Sequence, residues 1–312
     1  MKLKKLVAAS CIATMVFALS GCNKALDLSL NLKKGDKYNI HVVNDQKTSV
    51  TAENQEIKSS QVMDMNFSID VKDVDKDKNT TVDYKYDSIK MSAESNGQKM
   101  EYDSKKNDSN NPLGAIYGGI IGKGFTVKLD KKGQVLDIKG MNELLDSLVE
   151  KIPASDQEKK AVKDALKENF GDEAIKSMVK QTMNYYPQKS IKTGDTWENK
   201  YDIKAIFPMS VSNKWKLIGE KDGALNVEVQ STIAADTKNK PIDFMGLKAN
   251  MKLDGDCKGT IDISKDNGLI QKGSMTQNMN GNMEILASNV TPKNVKMPMK
   301  ITSKITYETT KK

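Results

Sequence analysis

The chain has 312 residues and a formal charge of +8, with 49 basic residues that are all lysine, 41 acidic residues and one histidine. Without arginine there is no bidentate clamp for phosphate, and the lysines alternate with acids, as in Lys72-Asp73 and Asp75-Lys76, instead of forming a stripe. Aromatic residues make up only 5% of the chain, so stacking platforms are missing too and no nucleic acid is expected as a partner.

Lys2, Lys4 and Lys5 precede an apolar run from Leu6 to Leu19, too short for a permanent span and ordered like a secretory leader. It ends in Leu19-Ser20-Gly21-Cys22, which resembles the lipobox of bacterial lipoprotein precursors. The resemblance implies cleavage between Gly21 and Cys22, a diacylglyceryl group on Cys22, and an extracytoplasmic chain anchored to the cell membrane by two acyl chains. The all-Lys, Asn-rich composition points to a Gram-positive surface. Cys11 departs with the leader and Cys22 is lipidated, which leaves Cys257 alone and allows no intrachain disulfide in the mature chain. Alternation places Cys257 in a buried strand.

Leu26, Leu28, Leu30 and Leu32 alternate with polar residues and predict a half-buried strand. Lys33-Lys34-Gly35-Asp36 turns the chain, and Tyr38, Ile40 and Val42 start the next strand, with His41 on the polar face beside no obvious partner. Met63 to Val71 is a long alternating strand ending in Asp73 to Asn79. That acidic ladder fails as a calcium loop because Lys78 and Tyr84 stand where Gly and an acid are required, so a hairpin turn is expected. Val82, Tyr84 and Tyr86 return, and Ile89 with Met91 fall out of phase, as after a bulge.

Pro112 to Lys123 is apolar and glycine-rich but is no phosphate loop, since Gly124 follows the lysine where Ser or Thr is needed. A short helix or flap is expected there, carried by Pro112, Leu113, Ile116, Tyr117, Ile120 and Ile121. Phe125 to Leu129 and Val135 to Ile138 then form a hairpin around Asp130 to Gly133.

Leu144, Leu145, Leu148, Val149 and Ile152 recur at helical spacing from Met141 to Lys151, stopping before Pro153. Ser155 and Glu158 form a capping box for a second helix lined by Ala161, Val162, Ala165, Leu166 and Phe170. A third runs from Ala174 to Tyr186. These apolar faces need a sheet to cover them. Ser177-Met178-Val179-Lys180 and Lys192-Thr193-Gly194 match serine-lysine motifs of penicillin-binding enzymes, but a dozen intervening residues cannot hold the domain those families place there.

Thr193-Gly194-Asp195-Thr196-Trp197 repeats Lys34-Gly35-Asp36-Lys37-Tyr38, and the strands Val211 to Leu217 and Leu225 to Ile233 repeat the long hairpin from Met63 to Met91, which points to a duplication. Met275, Met279, Met283 and Ile285, then Met299 to Tyr307, complete the second half. The expected fold is mainly β (α+β): a long antiparallel curved sheet or half-barrel from two related β modules, with a helical segment between them packed on the sheet. The chain divides into a leader (1–21), a first module (22–140), the helical segment (141–187) and a second module (188–312), the modules forming one continuous domain. Curved sheets holding helices resemble, in architecture, the bacterial lipoprotein-carrier and lipid-binding lipoprotein folds. The mature chain is also similar to an uncharacterised family of β-rich bacterial lipoproteins that open with this leucine strand and Lys-Gly-Asp-aromatic turn, a family that brings no activity with it.

No carboxylate pair, nucleophile or metal set stands out, so a non-catalytic protein without cofactor or metal is expected. The expectation is an anchored lipoprotein that binds an apolar molecule between sheet and helices, in a cavity lined by Met178, Met183, Met275, Met279 and Met283. The alternative is an envelope or surface interaction protein with a solid core.

Overall fold

A computed structural model describes residues 25–53, 55–106, 111–150, 154–170, 176, 179, 183–203, 208–244, 246–289 and 291–312. Cys22, Met178 and the serine-lysine pair lie outside the described residues. In chain order the elements are β1 (Lys37–Ala52), β2 (Gln55–Val74), β3 (Thr80–Ser95), β4 (Gln98–Asp103), α1 (Pro112–Tyr117), β5 (Gly124–Leu129), β6 (Val135–Lys139), α2 (Met141–Glu150) and α3 (Asp156–Phe170). The second half contributes β7 (Thr196–Ile203), β8 (Met209–Lys221), β9 (Ala224–Asp236), β10 (Ile242–Phe244), β11 (Leu247–Ser264), β12 (Ile270–Ile285) and β13 (Val295–Lys311).

All the strands join one antiparallel, curved and unclosed sheet in the order β6-β5-β3-β2-β1-β13-β12-β11-β9-β8-β7, with β4 beside β3 and β10 beside β11. The expected fold class is therefore the observed one. β1 and β13 meet at the centre while β6 and β7 form the two edges, so the helical segment joins one edge of the sheet to the other. Bulges at Asn66/Phe67, Val71/Asp73, Lys128/Leu129, Leu217/Gly219 and Asp262/Ile263 tighten the curvature. The first explains the phase slip after Tyr86.

The Lys-x-Gly-Asp turns close in the same way in both halves. The Gly35 N–H donates to the Val71 carbonyl at 2.9 Å and the Gly194 N–H to the Leu217 carbonyl at 2.8 Å. The Asp36 and Asp195 carboxylates accept from the N–H groups of Lys33 (3.1 Å) and Lys192 (2.8 Å). Both glycines take a left-handed backbone, φ +90° and +93°.

The expected strand at Leu26 to Leu32 is not in the sheet. It is an extended strap across the end where the strands turn. Leu26 exchanges 2.9 Å hydrogen bonds with Ile191, the Leu30 N–H donates to Lys131, and the Asn31 N–H donates to Asn267. Leu28, Leu30 and Leu32 are nonetheless only 2%, 3% and 5% exposed. Alternation reports that one face is buried, not what buries it, and here turns do so. Gly268 in the β11–β12 turn lies against the strap with φ +78°, and a Cβ there would stand 2.2 Å from the Ser29 carbonyl oxygen.

α3 packs on α2, and of its expected apolar face Ala161 is exposed and Val162 is 37% exposed, a correction at those two positions. The capping box that starts it is present, with the Ser155 N–H donating to Glu158 at 2.8 Å. His41, expected to stand alone, has its Nε2 2.8 Å from Asp64 Oδ1 on the neighbouring strand. The Asp73 to Asn79 segment is a hairpin turn built on Asp75, whose carboxylate accepts from the N–H groups of Asp77 (3.0 Å) and Asn79 (2.9 Å). Lys128 and Asn79, bonded to that carboxylate, hold its pKa well below the usual range.

Candidate apolar chamber

Inward-facing side chains follow from strand parity. On β1 they are the even positions from Tyr38 to Val50; across the ladders these oppose the odd positions of β2 and β13. At the turn end the inward face packs into the largest cluster, which joins the leucine strap, the strands and the end of the helical segment. A second cluster, with Met251, Leu253, Met279 and Met283, fills the other end of β7 to β13. A third, with Ile89, Met91 and Tyr102, lies under α1.

Inside the first cluster the packing stops short and leaves a chamber of about 260 Å³. β1 gives it Ile40 and Val42, β2 gives Met65, Phe67 and Ile69, and β3 gives Tyr84 and Tyr86. Phe125 of β5, Tyr307 of β13 and Leu269 with Ile270 from the β11–β12 turn complete the sheet side. Val179, Met183 and Tyr185 of the helical segment form the opposite wall. Among the described residues no charged side chain lines it. The lining toward the turn end, such as Ile40, Ile69 and Phe125, is buried, while Val42, Met65 and Tyr86 are only partly buried. The chamber therefore opens toward the middle of the sheet.

The wall is held by a local lock. Tyr185 and Tyr186 both donate to the Gly268 carbonyl, at 2.8 and 2.9 Å, with their hydroxyls 3.1 Å apart. Trp197 Nε1 donates to the Tyr185 carbonyl at 2.9 Å. Rings pack around the rim: Phe67 lies 5.0 Å from Tyr86, and Tyr84 stacks on Phe125 at 5.5 Å. Burial pushes the phenols of Tyr84 and Tyr86 up and that of Tyr307 to about 12, so all are neutral at ordinary pH.

Of the methionines expected around a cavity, Met183 lines the chamber. Met275 is partly buried and packs on both large clusters, while Met279 and Met283 belong to the second. On β11 and β12 methionine faces glycine, Met275 opposite Gly259 and Met279 opposite Gly255. The side chains lie over those glycines and fill the space a Cβ would take. Their flexible chains are spent on their own sheet.

The expected flap forms α1 and a following turn. Asn111 caps it by accepting from the Leu113 N–H at 3.0 Å, and Pro112 opens it. Leu113, Tyr117, Ile120 and Ile121 pack on the third cluster, and Ile120 also reaches the first. The Gly122 N–H donates to the Tyr86 carbonyl at 2.8 Å and the Tyr86 N–H to Lys123 at 2.9 Å, which ties the segment beside the chamber. Sequence reading missed the aromatic lining. Tyr84 and Tyr86, two residues apart and so on one face, were the available signal.

Cys257 faces inward, buried, with its thiol pushed up to about 11 by burial and by Asp256. A larger hollow of about 670 Å³ lies at the β1–β2 and β3–β4 tips, lined by Lys47, Glu56, Lys58, Glu94 and Lys300 among hydroxyls. Mixed charges in an open hollow are a solvated surface.

The chain belongs to a family of unknown function, DUF6263, whose model matches residues 77–270 and so spans the helical segment with parts of both β halves. A search of curated proteins finds no match. Among solved structures, lipovitellin, studied for lipid-protein interactions, is similar at 8% identity and a TM-score of 0.42, over 88% of this chain and 25% of that one. The chain thus spans a quarter of lipovitellin's length. DynF from the dynemicin biosynthesis pathway of Micromonospora chersina matches at 8% identity and a TM-score of 0.17, over 88% of this chain and 82% of that one. An outer membrane channel from Pseudomonas putida F1 matches at 9% identity and a TM-score of 0.21, over 90% and 97%.

Proposed function

We propose that the protein is a non-catalytic, extracytoplasmic lipoprotein, anchored to the cell membrane through Cys22, that holds an apolar molecule between its sheet and its helical segment. The observation that carries this is the chamber: about 260 Å³ of space, walled by aliphatic and aromatic side chains, with no charge among its described lining residues, and open toward mid-sheet. A pocket with an apolar wall and a polar approach is the usual form of a small-ligand site. The anchor rests on the lipobox resemblance at Leu19-Ser20-Gly21-Cys22, and it would keep the chamber near a source of hydrocarbon.

The test is uptake of N-phenyl-1-naphthylamine, a neutral apolar dye that brightens on leaving water, by the full chain. Saturable brightening at one site per chain is expected, reduced by Ile40→Trp, whose larger side chain fills the chamber. Brightening that never saturates, or that Ile40→Trp leaves intact, would contradict the reading.

A further inference from the structure

The chamber's surroundings narrow what it takes, granted the ligand-binding reading above. Along the inward face from the chamber, the next residue on β1 is Asn44, whose Oδ1 is buried with no hydrogen-bond partner among the described residues. Two residues further, Gln46 stands opposite Gln61 on β2 and Ser303 on β13, and Ser303 stands opposite Gln277 on β12. A row of uncharged polar side chains therefore crosses the sheet about 13 Å from Val42, at roughly 3.3 Å per residue. The inward positions of β1 from Tyr38 to Val50, of β2 from Ile57 to Val71, of β12 from Gly273 to Ile285 and of β13 from Val295 to Thr309 include no Asp, Glu or Lys. The outward positions carry the charge, as in Lys37, Asp45 and Lys47.

We infer that the occupant is a single-chain amphiphile with an uncharged, hydroxyl-bearing head, its tail in the chamber and its head at the row of Asn44, Gln46, Gln61 and Ser303. The volume suits one chain: 260 Å³ exceeds the roughly 150 Å³ of an apolar cavity that takes a single benzene. The head is selected by two facts. A carboxylate entering this face meets no cation at the inward positions of β1, β2, β12 and β13, and the amide and hydroxyl donors of the row offset its lost hydration only in part. The Asn44 oxygen is an acceptor that a hydroxyl can satisfy and a carboxylate cannot.

The experiment titrates the full chain with decan-1-ol and with decanoate, equal in tail and opposite in head charge, below micelle formation at about pH 8, by calorimetry. Saturable decanol binding at least about tenfold tighter than decanoate is expected. Equal affinities would overturn the head-group assignment and leave the chamber reading standing. Failure of both to bind would overturn both. Val42→Trp should abolish decanol binding, and retention of it would remove the chamber as the site. Gln46→Lys adds a cation to the row and should raise decanoate affinity, a gain that misfolding cannot produce. An unchanged decanoate affinity would overturn the placement of the head.

Discussion

The carbonyl of Gly268 accepts from two phenols at once, and that single atom fixes the end of the helical segment against the β11–β12 turn. Removing one hydroxyl leaves the other in place, so Tyr186→Phe should cost about 1 kcal/mol in urea unfolding. The double change to Phe strands a buried carbonyl and should cost more than the sum of the single changes, within about 1–3 kcal/mol for the desolvated group. Burial raises both phenols well above their ordinary 10.0, so the fold favours their neutral forms. Their contribution is whole below pH 10 and is lost as pH rises beyond it, because the unfolded chain ionises first. The urea midpoint should fall above that pH in the native chain and fall less steeply in the double variant. Nothing local in Tyr185-Tyr186-Pro187 foretold this. The partner lies 82 residues away from Tyr186, and sequence pattern carries no information about such a contact.

At the level of elements, much was legible because strand alternation is a local property. The hairpins, the bulge after Tyr86 and the Ser155 capping box all followed from spacing. What failed was a partner: the leucine strap is buried by turns. The paired Lys-x-Gly-Asp turns show where local and global information meet. Their matching hydrogen bonds support our proposal that the two β regions are related modules. Since Gly35 and Gly194 both sit at positive φ with open space around the missing Cβ, Ala at either meets only backbone strain. Each substitution should lower stability by about 1–2 kcal/mol, and by similar amounts, in thermal or urea unfolding. Unequal losses would argue that the two turns do different structural jobs.

For the whole molecule, the decisive feature is that β6 and β7 are opposite edges of an unclosed sheet and that Met141, Leu144, Val179, Met183 and Tyr185 of the segment between them pack against its inward face. A chain crossing a curved surface fills it where side chains match and leaves space where they do not. Val179, Met183 and Tyr185 leave the chamber. The sequence showed that apolar helices needed a sheet, but not the strand order that sets the gap, because antiparallel register is decided by long-range pairing. It also suggested methionines as the lining, whereas glycines on β11 draw two of them away and aromatic rings take their place.

Native mass spectrometry of the full chain expressed in bacteria and released from its membrane tests anchor and chamber together. The account predicts a polypeptide beginning at Cys22, a covalent diacylglyceryl increment that survives activation, and one further apolar adduct that dissociates from the folded protein. A folded, lipidated chain that is bare of any dissociable adduct in repeated preparations would contradict the ligand-binding account, and an unprocessed chain without the covalent increment would contradict the anchor.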